Sequence, residues 1–118
     1  MLGSIPSGTT EATQLSGFFV LYMIACYIIF SKKLNRFYTG VTQSDLDERI
    51  IKHNDGSYGD HRFTAKASDW ELFIFIECGS FNQAVAIEKH IKKMKSSTYI
   101  RNLKQYPEMI EKLKNIRN

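Results

Sequence analysis

Five side chains suited to phosphodiester chemistry are spread over the middle of the chain. Tyr27 and Tyr38 lie eleven residues apart, in two short apolar runs. Arg49 and His53 follow four residues apart, and Glu88 lies in a lysine-rich stretch. Arginine binds phosphate oxygens, a carboxylate binds a divalent cation, and phenol or imidazole groups orient and relay protons. Together these residues could bind a phosphodiester and hydrolyse it with one metal ion, provided that the fold brings them to one place.

Composition limits the class of protein before any motif is considered. The 118 residues are enough for one domain with a modest core, and 43% hydrophobic with 24% charged residues is typical of a soluble protein. Cys26 and Cys78 lie in apolar runs, which favours buried free thiols in a reducing cytoplasm over a lone disulfide. The Cys and His spacings do not match a structural zinc site. We therefore expect a cytoplasmic single-domain protein.

The positive charge is concentrated in the second part of the chain. From Ala84 onward there are nine Lys or Arg and three Glu, whereas the first 83 residues hold seven Lys or Arg and nine Asp or Glu. A basic helical half is typical of proteins that bind a polyanion. A solvated, lysine-rich helix face would give the same pattern, so charge alone leaves both interpretations open.

The N-terminal residues predict an extension and then a strand. Residues 1–22 read as disordered or as an upstream extension, since 1–17 are rich in Ser, Thr and Gly. Residues 18–30 form an unbroken apolar run that is shorter than the ~20 residues of a membrane-spanning helix. Basic residues, which a signal peptide would need ahead of this run, are missing. Its Phe, Tyr, Ile and Val content favours a buried strand, so we expect no stable membrane association; a membrane-anchored protein is the alternative.

Periodicity and turn residues predict a mixed α/β (α+β) fold in the order β-β-α-β-α-α-α. It has a small central three-stranded, mainly antiparallel sheet flanked by helices. Ser44 with Asp47 predicts the first helix start, and Ser80 with Gln83 the second. Pro107 predicts the start of the last helix. The predicted strands are 23–30, 37–41 and 70–77, and the predicted helices are 44–54, 80–95, 98–105 and 107 onward.

Helical geometry places the polar candidates beside the core. Arg49 and His53 share one helix face, which borders the apolar stripe of Leu46 and Ile50. Both side chains should therefore lean into the seam between helix and sheet, beside the tyrosines. Glu88 lies at the edge of the next helix's apolar stripe, where a merely solubilising residue would be badly placed.

The ordered set of segments resembles the GIY-YIG nuclease family, most of all its small stand-alone bacterial members related to the N-terminal domain of excinuclease C. The resemblance covers residues 23–104, with 105–118 left as a C-terminal amphipathic basic helix packed on the domain. The matching segments are CYIIFSKKLNRFYTGV, DLDERIIKHN, DWELFIFIE, AVAIEKHIKKMKS and STYIRNL. Departures such as Thr39 in place of the family's central isoleucine keep strand character. The matched positions are Tyr27 and Tyr38 (the motif tyrosines), Gly40 (the closing glycine), Arg49, His53, Glu88 (the metal-binding glutamate) and, more loosely, Asn102.

The resemblance implies a metal-dependent endonuclease that hydrolyses DNA, with repair or mobile-element roles open and RNA not excluded. Glu88 would hold Mg²⁺ or Mn²⁺, and Arg49 would bind the phosphate. Tyr27 would orient or deprotonate the attacking water, with Tyr38 in the same network, and His53 would relay a proton or bind phosphate. The lysines expected to contact DNA are Lys32, Lys33, Lys89, Lys92, Lys93 and Lys95. A partner protein could supply targeting.

Simpler interpretations remain for each residue. Arg49 could pair with Asp45 and Glu88 with Lys92, as ordinary surface ion pairs on a helix. His53 could be a cation at a helix C-terminus. A nucleic-acid-binding module without catalysis is the main alternative function.

Overall fold

Three antiparallel strands form the sheet that carries the site, in the order β2-β1-β3. The computed structural model describes residues 23–43, 45–59 and 63–116. Its strands are β1 (Ala25–Ser31), β2 (Arg36–Thr42) and β3 (Glu71–Glu77). Its helices are α1 (Leu46–Asp55), α2 (Phe81–Met94), α3 (Ser97–Gln105) and α4 (Pro107–Lys114), with a short 3-10 helix at Phe63–Lys66. The predicted fold class and element order are confirmed.

The central strand β1 divides the core into two layers. Cys26 and Ile28 point to the side covered by α2, α3 and α4, where they pack in one apolar cluster. Tyr27 and Ile29 point to the side of α1 and pack in a second cluster. This alternation follows from the two-residue repeat of a strand, and it sends Tyr27 towards α1.

The first helix begins one residue later than predicted. Asp45 is the N-cap of α1, and its carboxylate accepts hydrogen bonds from the backbone N–H groups of Asp47 at 2.9 Å and Glu48 at 3.4 Å. The prediction that Ser44 caps this helix is therefore wrong; Ser44 itself lies outside the described residues. Asp and Ser are equally good N-caps, so the sequence did not decide between these neighbours.

The later helices begin as predicted. The Ser80 hydroxyl accepts from the backbone N–H of Gln83 at 3.1 Å, which starts α2. The Gln83 side chain accepts from the Gly79 N–H at 2.7 Å, one residue before the position expected in a capping box. Pro107 is at the first turn of α4, whose Leu113 is buried in the α2-side cluster, so this helix packs on the sheet domain.

The apolar run near the N-terminus contributes the centre of the sheet. Residues 25–30 lie in β1, and residues 18–22 lie outside the described residues, as does the whole predicted extension 1–22. Within the described ranges, no helix is both long and apolar enough to cross a membrane. Cys26 and Cys78 are free thiols, and burial raises the pKa of each.

Candidate active site

Tyr27 and Gly40 are direct partners across the β1–β2 ladder. The ring of Tyr27 lies against the backbone of Gly40, so that a Cβ at residue 40 would come within 2.6 Å of the Tyr27 hydroxyl oxygen and 2.7 Å of its Cζ. Contacts that short do not occur between real atoms, so only glycine fits beneath this ring. Gly40 thus fixes where the Tyr27 hydroxyl can be.

The Tyr27 hydroxyl joins the two predicted helix residues. It lies 2.9 Å from the Nε2 of His53, and it accepts a long hydrogen bond of 3.5 Å from the Nε of Arg49. Because α1 covers this side of the sheet, residues one helical turn apart reach the same strand residue. Asp45, the alternative ion-pair partner for Arg49, instead caps the helix.

His53 is held from its other side by a residue that the sequence did not indicate. Its Nδ1 lies 2.9 Å from the hydroxyl of Thr64, in the 3-10 helix. The carbonyl of Thr64 accepts from the Trp70 indole N–H at 2.8 Å, which ties this segment to the start of β3. His53 is 4% exposed and is therefore a core histidine, unlike a solvated helix-terminal cation. Thr64 lies in a stretch predicted as polar loop, with no periodicity that singles it out.

Two further tyrosines surround His53. The Tyr38 ring lies 5.1 Å from the His53 ring between centroids, and the Tyr58 ring lies 4.8 Å from it. Arg49 places its guanidinium 5.5 Å from the centre of the Tyr58 ring, a cation–π distance. Sequence reasoning missed Tyr58, which follows the glycine that ends α1. Tyr27, Tyr38, Arg49 and His53 are therefore brought together.

Glu88 and Lys92 approach from the opposite side of the sheet. The Glu88 carboxylate forms an ion pair of 3.0 Å with Lys92, one turn later on α2, so the simpler interpretation of this residue is present in the structure. The ammonium of Lys92 also lies 5.6 Å from the centre of the Tyr38 ring. Because β2 is an edge strand, Tyr38 contacts residues from both layers, and it links Glu88 to the Tyr27 cluster.

The remaining candidate residues lie around these two groups. The lysines predicted to contact DNA are all exposed: Lys32 and Lys33 in the β1–β2 turn, and Lys89, Lys92, Lys93 and Lys95 on or just after α2. Asn102 is half-buried on α3, and its backbone carbonyl accepts from the N–H of Tyr106.

Burial sets the ionisation of the central phenol. It raises the pKa of Tyr27 to about 12, although the hydrogen bond from Arg49 and its positive charge oppose the rise. Tyr27 is therefore a neutral hydroxyl at physiological pH, and not a phenolate. It has no exposed surface, whereas Tyr38 is half-buried.

The acidic side chains offer little for a metal ion enclosed by protein. Among the described residues, no group of three or more His, Cys, Asp or Glu is arranged to hold one. Mg²⁺, however, commonly keeps several waters and takes one or two carboxylates together with substrate phosphates. The Glu88 side chain is 21% exposed, so it can fit an ion of this kind.

Comparison with known proteins agrees with this arrangement. The sequence model of the GIY-YIG catalytic domain matches residues 23–102, which are 80 of the 118 residues. No curated protein and no solved structure matches the chain significantly. The matched range runs from the start of β1 into α3 and so contains every candidate catalytic residue. The chain belongs to the GIY-YIG catalytic domain family, a family of nucleases.

Proposed function

We propose that this protein is a metal-dependent endonuclease that hydrolyses DNA phosphodiester bonds. The observation that carries the proposal is the buried hydroxyl of Tyr27, held between His53 and Arg49 beside the edge strand that Glu88 and Lys92 approach. A buried polar cluster of this kind, open at one edge and flanked by lysines, suits an anionic substrate.

Arg49 is the residue that would bind the scissile phosphate. Its Nε is directed at Tyr27, which leaves the two terminal nitrogens to donate to two phosphate oxygens. The Tyr58 ring and the Tyr27 hydroxyl hold the guanidinium plane, so little side-chain entropy is lost when the phosphate binds.

The two tyrosines have different exposure, and we assign them different tasks. The sequence favoured Tyr27 as the residue that handles the attacking water. With no exposed surface and a raised pKa, Tyr27 better fits a neutral positioning group that orients Arg49 and exchanges its proton with His53 Nε2. Tyr38, half-buried at the sheet edge, is the tyrosine that can contact a water beside the phosphate.

Glu88 would hold the divalent cation, Mg²⁺ or Mn²⁺, and Lys92 would exchange its contact with Glu88 for a substrate phosphate. A cation bound there supplies charge stabilisation for the phosphate and the departing oxygen. In the absence of substrate, the ion pair keeps the carboxylate beside Tyr38.

A cleavage assay tests the proposal. Supercoiled plasmid, single-stranded DNA and branched DNA would be incubated with the full chain and Mg²⁺, Mn²⁺ or EDTA, with RNA as a further substrate. We expect cleavage of DNA with either metal, none with EDTA, and loss of cleavage in Glu88→Gln. Wild-type protein that is inert on all substrates would overturn the proposal, as would cleavage that persists in EDTA. Branched substrates also test the repair or mobile-element context.

A further inference from the structure

A groove of about 410 Å³ lies next to the candidate active site, between the β2 edge and the junction of α2 with α3. Its basic residues are Arg36, Lys92 and Lys95, and none of its lining residues is acidic. The floor includes Phe37 and Ile100. The volume lies within the range of about 300–1,000 Å³ typical of pockets for small ligands.

The groove is continuous with the site because two residues belong to both. Tyr38 and Lys92 line the groove, while the Tyr38 ring contacts His53 and Lys92 pairs with Glu88. A strand whose phosphate is bound at Arg49 would therefore place a neighbouring nucleotide at this groove.

The chemistry of the lining selects an unpaired nucleotide. Proteins that bind single strands combine a positively charged groove along the backbone with aromatic side chains on which bases stack. Here Phe37 and Tyr38 lie next to three cations, in a space of single-nucleotide dimensions. We propose that this groove binds the nucleotide that flanks the scissile phosphate when that nucleotide is unpaired, so that the preferred DNA carries a single-stranded segment beside the cut. This inference rests on the proposed function, because it specifies the substrate of the same site.

Lys95 offers an unusually clean test. It ends α2 in the left-handed conformation, with φ 49°, where glycine is the usual residue. Lys95→Gly therefore removes the ammonium while relieving the backbone, so weakened binding cannot be attributed to unfolding. Asn35→Gly is the matched control, since Asn35 has φ 54° in the β1–β2 turn and carries no charge.

Binding is measured in EDTA, by fluorescence anisotropy, with a labelled 12-residue oligothymidylate and a 12-base-pair duplex. We expect the wild-type chain to prefer the single strand. Lys95→Gly and Arg36→Gln should each weaken that binding about five- to tenfold, as for one lost charge-assisted contact. Each should also reduce the salt slope by about 0.7, and Asn35→Gly should change neither quantity.

A second measurement locates the ligand. Amide resonances of Thr39 and Ser97, which line the groove, should shift with pentathymidylate, whereas those of α4 should not. Tighter duplex binding, or equal Kd values for Lys95→Gly and Asn35→Gly, would overturn the groove assignment. A chain that binds single strands through Lys95 but cuts no DNA would overturn the proposed nuclease and leave the groove intact.

Discussion

The Tyr27 ring packs on the backbone of Gly40, its partner across the β1–β2 ladder, and leaves no room for a side chain there. The family's closing glycine thus has a physical reason in this chain: it provides the flat surface on which the catalytic tyrosine candidate rests. Since that ring is also held by His53 and Arg49, it cannot easily move aside.

Gly40→Ala should displace this ring and destabilise the fold. The added methyl would come within 2.6 Å of the Tyr27 hydroxyl, and overpacking of this kind costs about 1–3 kcal/mol of the free energy of unfolding. Urea denaturation measures the loss, and DNA cleavage should fall with it. Gly79→Ala is the control, because its Cβ would meet the Gln83 side chain at an ordinary 3.7 Å. Equal stability of the two variants would contradict the packing argument.

Thr64→Val should impair the site without changing the shape of the residue. The substitution removes the hydroxyl that contacts His53 Nδ1, in a place where both residues are buried. Loss of one buried hydrogen-bond partner costs about 1–3 kcal/mol, and a less firmly held imidazole should slow DNA cleavage. Thr64→Ser keeps the hydroxyl and should restore most of the cleavage rate. If Thr64→Ser and Thr64→Val cleave alike, the hydroxyl does not orient His53.

Alkaline pH should destabilise the protein through Tyr27. The phenol ionises near pH 10 in the unfolded chain, while burial raises its pKa in the folded protein to about 12. Between these values the folded state retains a proton that the unfolded state has released, so the free energy of unfolding falls as pH rises. The fall that belongs to Tyr27 is about 2–3 kcal/mol.

Chemical denaturation at pH 9 to 12 measures this effect. Tyr27→Phe should show a shallower fall than wild type, and Tyr106→Phe, which alters an exposed ring, should follow wild type. Identical slopes for Tyr27→Phe and wild type would refute the buried, neutral phenol.

Lys92→Met should strengthen divalent-metal binding. The ammonium lies 3.0 Å from the Glu88 carboxylate and competes with any cation there. Removing a unit charge at this distance in water changes the energy by about 1 kcal/mol, so the Kd for Mn²⁺ should fall about two- to fivefold. Titration calorimetry without DNA gives the value, with Lys93→Met as the neighbouring control. A weaker affinity for Mn²⁺ in Lys92→Met would count against Glu88 as the metal ligand.

Much of the fold was predictable because its signals are local. The apolar runs gave the strands, and Ser80 and Pro107 marked two helix starts. The start of α1 was misplaced because Ser44 and Asp45 are adjacent residues with equal capping propensity. Such an ambiguity is settled by tertiary packing, which a local pattern does not contain.

The site was predictable where helical spacing governs it, and hidden where the chain returns from a distance. Arg49 and His53 share a helix face, and that spacing places both at Tyr27. Thr64 and Tyr58 reach His53 from irregular segments, which have no periodicity to indicate their direction. Likewise, the sequence did not indicate that Glu88 lies across the edge strand and connects to the other residues through Lys92 and Tyr38.

The central claim is that Arg49 and Glu88, from opposite layers of the sheet, act on one phosphodiester. Single-turnover cleavage of a labelled DNA strand, with binding measured separately in EDTA, tests it most directly. Glu88→Gln and Arg49→Lys should each lower the cleavage rate by about 100-fold or more while DNA binding changes little, as expected for charged groups that act on the transition state. The exposed Glu111→Gln should cut at the wild-type rate. Wild-type rates in Glu88→Gln or Arg49→Lys would contradict the account.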